Sequence, residues 1–167
     1  RNIALGAPRT VALPAAAGAT TLKWASQGDP QTADPYSQNE GLTNMFSQSV
    51  HDTLVMRDNT LKLVPGLATS WQQVNPTTWR FTLRKGVKFH DGTPFDAAAA
   101  KFSLERHLTF PGSRRKGEIS QIKTIDVVDP HTIRLNLSVP FAPLIAQLTD
   151  RAGMMVSPKA ATAAGDK

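Results

Sequence analysis

The chain has 167 residues, 40 % hydrophobic and 19 % charged: enough apolar residues for a packed core, too few charges for a self-repelling disordered chain. It has no cysteine, which excludes disulfides, thiolate nucleophiles and zinc fingers from this sequence, and no apolar run nears the roughly 18 residues of a membrane-spanning helix. Nineteen Lys and Arg stand against thirteen Asp and Glu, and the excess is local, with nine basic and three acidic residues from Arg80 to Lys116. That excess reads as a solvated face, with a nucleic-acid-binding surface as the alternative.

Residues 1–19 carry seven alanines and no aromatic residue, and read as a disordered leader or the remnant of an export signal. Thr21–Ser26 reads as a short strand with Leu22 and Trp24 on one face. Gln27–Tyr36 is rich in turn formers and reads as a loop. From Glu40, the spacing of Leu42, Met45, Phe46, Ser49 and Val50 predicts an amphipathic helix ending near His51–Thr53.

A β-rich stretch follows. Leu61–Leu67 is short and broken by Pro65-Gly66. Ala68–Val74 alternates around Trp71. Thr78–Arg84 alternates Trp79, Phe81 and Leu83 against Arg80, Thr82 and Arg84, which predicts a hairpin with one wet face. Val87–Phe89 reads as a further short strand. Thr93 is expected to cap a helix with Pro94 at its first position and Asp96 in its first turn. That helix runs to about Leu108 with Phe95, Ala98, Ala99 and Phe102 inward. Ile119–Val128 and Thr132–Leu137 form a second hairpin across Asp129-Pro130-His131. Phe141–Leu148 reads as a short helix and Gly153–Val156 as a strand. Ribbons alternating with helices indicate an α/β (α+β mixed) fold. Trp71, Trp79, Phe81, Phe89, Phe95 and Phe102 are expected to form its core.

The catalytic inventory is empty. His51, His90, His107 and His131 have no metal-ligand spacing, and His90-Asp91-Gly92 reads as a turn rather than a dyad. No phosphate loop, nucleophile elbow or calcium loop is present. No cofactor and no metal are expected, and binding is favoured over catalysis.

The run Leu63-Val64-Pro65-Gly66-Leu67-Ala68-Thr69-Ser70-Trp71, then Thr78-Trp79-Arg80-Phe81-Thr82-Leu83-Arg84-Lys85-Gly86-Val87-Lys88-Phe89-His90-Asp91-Gly92-Thr93-Pro94-Phe95, resembles the signature of the family 5 extracellular solute-binding proteins of bacterial ABC importers. The similarity continues through Phe102–Arg106, Thr124–Leu137 and Pro140–Pro143. Ala97–Ala100 departs from it, where the family usually has an acidic residue and valine. The resemblance implies a two-lobed clamshell, of which residues 20–167 would be an incomplete N-terminal lobe. It implies the substrate-binding component of an importer of dipeptides, oligopeptides, nickel or glutathione, not an enzyme. Such a component is periplasmic and monomeric, and delivers a peptide or peptide-like solute to membrane permease subunits. The other reading is a basic nucleic-acid-binding domain or a structural domain without a ligand.

Two loops are expected to line the cleft, because both lie at strand–loop junctions: Gln27–Asn39 and Asp150–Gly153. The candidate ligand-binding residues are Tyr36, Gln38, Asn39, Arg114 and Arg151. Tyr36 offers an aromatic face and a hydroxyl, and Arg151 a planar fork suited to a carboxylate.

Overall fold

The strict alternation along Thr78–Leu83 decides the architecture. In the computed structural model, which describes residues 28–165, this strand (β4) is central in a four-stranded antiparallel sheet of order β3-β4-β6-β5. It pairs with β3 (Ala68–Asn75) and β6 (Thr132–Leu137), and β6 pairs in turn with β5 (Ile122–Asp129). The register stacks rows across the sheet. Trp71, Phe81 and Ile133 are opposite one another on the inner face, as are Trp79, Leu135 and Ile125. Gln72, Arg80, Arg134 and Asp126 form the adjacent row on the outer, polar face. Period-two alternation in several strands thus converges on a single apolar layer.

Helix α2 (Ala97–Thr109) covers that layer. Phe81 and Ile133 are fully buried beneath it, in one cluster with Ala100 and Leu104 of the helix itself, Ile119 and Leu144. The helix starts later than the sequence suggests. Asp96 is the cap, its carboxylate accepting from Ala99 N at 2.9 Å. Thr93 instead donates its N–H and hydroxyl to Asp91. Of the four residues expected inward, Phe95 and Ala99 are buried, while Ala98 is exposed and Phe102 half-buried; Ala97, Ala100, Ser103, Leu104 and His107 complete the buried face. Asp96→Ala should cost about 1 kcal/mol, the usual value of such a cap, read as a lowered urea midpoint at an unchanged slope.

The expected aromatic core divides the same way. Phe81 and Phe95 are interior, Trp71, Trp79 and Phe89 pack against the core half-buried, and Phe102 lies outside it.

Val55–Arg57 (β1) pairs with Leu63–Pro65 (β2), a short hairpin of which the sequence pattern marks only the second arm. Three residues are too few to show a period. Asp58 Oδ1 organises the turn, accepting from Thr60 N and Lys62 N while Leu61 takes a positive φ of 64°. Val87–Phe89 is not a strand. Its two rungs to Thr93–Phe95 close a tight loop in which Gly92 has φ 82°.

The helix α1 (Gly41–Val50) forms as expected and is capped by Glu40, whose carboxylate accepts from Leu42 N and Thr43 N. Its buried side is Thr43 and Ser47, not the apolar stripe; Met45 is 52 % exposed. The second hairpin, β5 and β6, keeps the predicted turn, preceded by a 3-10 turn at Lys116–Ile119. The helix α3 spans Leu144–Gln147.

Gly153–Val156 is not a ladder strand either. A 3-10 turn, Arg151–Gly153, leads into a single bridge between Thr53 and Met154. Gly153 is required there, since a Cβ would lie 1.9 Å from Leu148 O. Val156 N then donates to Ser103 Oγ at 3.1 Å, which fastens this segment to α2. Helix α4 (Pro158–Ala164) follows, capped by Ser157. The expected leader (1–19) and the strand Thr21–Ser26 lie outside the described residues. Among those described, no helix is long and apolar enough to cross a membrane.

Candidate functional site

The loop of residues 28–39 carries three of the predicted site residues, and its conformation is dictated locally. Asp34 accepts from Tyr36 N at 2.8 Å, an Asx turn that rotates the tyrosine inward. Tyr36 is 1 % exposed, and its hydroxyl donates to Met154 O at 2.6 Å. Burial, then the neighbouring Asp34 carboxylate, pushes the phenol pKa far up, so the hydroxyl remains a donor.

Four arginines fasten this loop to the body. Arg106 Nη1 lies 2.5 Å from Asp34 Oδ2, and its guanidinium stacks 4.2 Å over Phe110. Arg114 Nε donates to Ser37 O at 3.2 Å. Arg115 donates to Asn39 Oδ1 at 2.9 Å and pairs with Glu118. Arg151 donates from Nη1 to Gln38 O and to Asn44 Oδ1, both at 2.7 Å, and from Nη2 to Asn39 Oδ1 at 3.0 Å. With the residue only 4 % exposed, desolvation and then the charge of Arg115 lower the Arg151 pKa from its ordinary value.

The fold therefore brings all five candidates together: Tyr36, Gln38, Asn39, Arg114 and Arg151 meet around one loop. It uses two of them differently from the expectation. Tyr36 and Arg151 are interior, with the phenol ring perpendicular to that of His107 and both Arg151 terminal nitrogens on neutral oxygens of the chain. Gln38 contributes its backbone carbonyl and is half-buried; Asn39 and Arg114 are exposed.

Asp34, Asn44, Arg106 and Arg115 complete the clamp; sequence reasoning passed over Asn44 and Arg106, and gave Asp34 and Arg115 no part in holding the loop. Part of the local basic excess is thus engaged with the chain's own loop rather than left free in solvent: Arg106 and Arg115, both half-buried, hold it.

Beside the loop, a cavity of about 370 Å3 is walled by Leu67, Phe89, Phe95, Met155 and Ala161. Two carboxylates at its wall are bonded within the chain: Asp34 to Arg106, and Asp91 to Ser157 Oγ at 2.5 Å. The Ser157 and Thr93 hydroxyls pull the Asp91 carboxyl down to about 2. A depressed carboxylate stabilises above its unfolded value and loses that contribution as pH falls. Stability curves of the parent and Asp91→Ala should therefore differ at neutral pH and converge between pH 3.8 and about 2. Parallel curves down to the lower limit would remove this role from Asp91.

An open sheet under one long helix, with a clamped loop and an apolar recess beside it, thus makes up the candidate site. Residues 62–167 match the model of the bacterial extracellular solute-binding proteins, family 5, and the chain belongs to that family.

The glutathione-binding protein GsiB of Pectobacterium atrosepticum is 35 % identical over 135 residues, covering 79 % of this chain and 26 % of that protein. Its counterpart in Escherichia coli K12 is 35 % identical over 132 residues, 77 % of this chain and 26 % of that protein. Among solved structures, the binding protein AgaA of A. tumefaciens R10 in complex with agropinic acid superposes with a TM-score of 0.77 at 31 % identity, covering 84 % of this chain and 29 % of that one. The chain thus spans between a quarter and a third of the length of these relatives.

Proposed function

We propose that this chain is part of the substrate-binding component of an ABC importer, forming a portion of the N-terminal lobe that captures a peptide or peptide-like solute for a membrane permease. The observation that carries the reading is the match to glutathione-binding relatives over 79 % of the chain. The structural neighbour AgaA, solved with agropinic acid, supports a small, carboxylate-bearing solute. DppA of Helicobacter pylori, solved with the peptide STSA, overlays with a TM-score of 0.70 at 29 % identity and supports a peptide. Binding without chemical conversion, monomeric action and a periplasmic location belong to the same proposal.

The site is proposed at the outer edge of the clamped loop. Asn39 and Arg114 reach the solute, and Gln38 flanks them. Tyr36 and Arg151 act from behind, fixing the loop's position. A nucleic-acid surface finds less support, because arginines of the basic stretch bond the chain's own loop.

The test is calorimetric titration of the complete gene product with glutathione, di- and tripeptides and opine acids. One of these classes should bind with one site per chain. Arg114→Ala should weaken that binding by about tenfold, equivalent to roughly 1.4 kcal/mol, at an unchanged unfolding midpoint. Saturable binding to an oligonucleotide with a steep salt slope, and to none of the solutes, would overturn the reading.

A further inference from the structure

His107 lies in the last turn of α2 with 0 % exposure, and neither ring nitrogen has a hydrogen-bond partner of proper geometry. Such an imidazole is tolerated neutral and is costly when charged. Its cover is the clamped loop: the Tyr36 ring stands perpendicular to it at 83°, centroids 4.6 Å apart.

Charged groups surround the ring from every packed element. Asp34 of the loop, Arg115 after α2 and Arg151 of the 150–153 segment act on it directly. Arg106, Glu118 and Asp150 stand beside these. The nearby carboxylates are engaged, Asp34 with Arg106 and Glu118 with Arg115. Asp34, the Arg115 backbone and the negative end of the α2 dipole favour a proton on the ring. Burial, the largest influence, opposes it, together with Arg115 and Arg151, and the balance holds the His107 pKa below its ordinary 6.5.

We propose that His107 is an acid-triggered release for the 28–39 loop: on taking up a proton the ring must reach water, and the group in its way is Tyr36. The sign follows from linkage. A histidine depressed in the folded state holds the loop fully above pH 6.5 and progressively loses that hold as pH falls below it.

His51 also touches this loop: its Nε2 lies 2.9 Å from Ala33 O and its Nδ1 3.3 Å from Met155 O. The inference concerns the loop's attachment and does not depend on what solute the loop faces.

Tyr36 is the only tyrosine in the sequence, so it reports on the loop without ambiguity. The experiment labels tyrosine and histidine with 13C and follows the chain by NMR from about pH 7.5 to about pH 5. Tyr36 should move from a ring-shifted, buried position to a solvent-like one, in step with the His107 ring and with a midpoint below 6.5. The Trp71 and Trp79 indole signals should stay dispersed. His107→Gln, which cannot titrate, should keep Tyr36 buried at about pH 5, and His51→Gln should retain the transition. A protonated His107 with Tyr36 still buried overturns the proposal. So does loss of the indole dispersion together with Tyr36, because the event is then global unfolding. Should His107→Gln fail to fold, the parent titration decides alone, through coincidence or separation of the two midpoints.

Discussion

Phe81→Ala should lower the unfolding free energy by about 3–5 kcal/mol, the range for deleting a buried phenyl ring. Phe81 has no exposed surface and sits mid-strand in β4, opposite Trp71 on one side and Ile133 on the other. Deleting the ring empties a space at the centre of the layer beneath α2, where rigid strands on both sides limit collapse. Phe102→Ala is the control. The sequence ranks the two aromatics alike, but Phe102 is half-buried outside the core, so its truncation should cost clearly less. Equal urea midpoints for the two variants would contradict the placement of Phe81 at the centre of the sheet's inner face.

Arg151→Ala comes second, at about 3 kcal/mol, because hydrogen bonds to a charged group contribute roughly 1.5–3 kcal/mol each and are not additive. Three acceptors lose their donor together: Gln38 O, Asn39 Oδ1 and Asn44 Oδ1. Lysine is a poor substitute, since one ammonium lacks the planar fork that serves α1 and the loop at once. Arg151→Lys should recover only part of the loss. The sequence alone leads to the opposite expectation, a surface cation whose removal leaves stability untouched. Chemical denaturation separates the two outcomes, and an unchanged midpoint would return Arg151 to the surface.

What was legible in the sequence was periodic. Thr78–Leu83 and Thr132–Leu137 alternate over six residues each, long enough to fix both the strands and their inward faces. The hairpin turn at Asp129–His131 follows from its residue types, with Asp129 Oδ1 accepting from His131 N at 2.8 Å. Helix starts were less legible, because Thr93 and Asp96 are both competent caps. The choice falls to tertiary structure, in which Asp91 holds Thr93. Helix α1 reverses the usual inference from amphipathicity. It turns Thr43 and Ser47 inward, where Thr43 Oγ1 accepts from Gln31 N at 3.2 Å.

The candidate site was legible as a place and not as a set of roles. Turn formers in 27–39 and the position of 150–153 identify segments that do meet. Nothing in a linear pattern shows that a tyrosine hydroxyl finds a carbonyl 118 positions away, or that an arginine fork is filled by chain amides rather than a ligand carboxylate. The same limit concealed Arg106 and the loop-holding role of Arg115. Basic residues in a polar stretch read as solvated unless their carboxylate and amide partners are known.

The central claim, that this chain belongs to a solute receptor, is tested most directly by native mass spectrometry of the complete gene product as purified from its own organism, before and after denaturation. One small organic molecule per chain is expected, peptide-like or bearing a carboxylate, lost on denaturation and restored by adding it back. A protein that carries no such molecule, and shows no change in mass or thermal midpoint with any peptide, glutathione or opine acid offered, would contradict the claim.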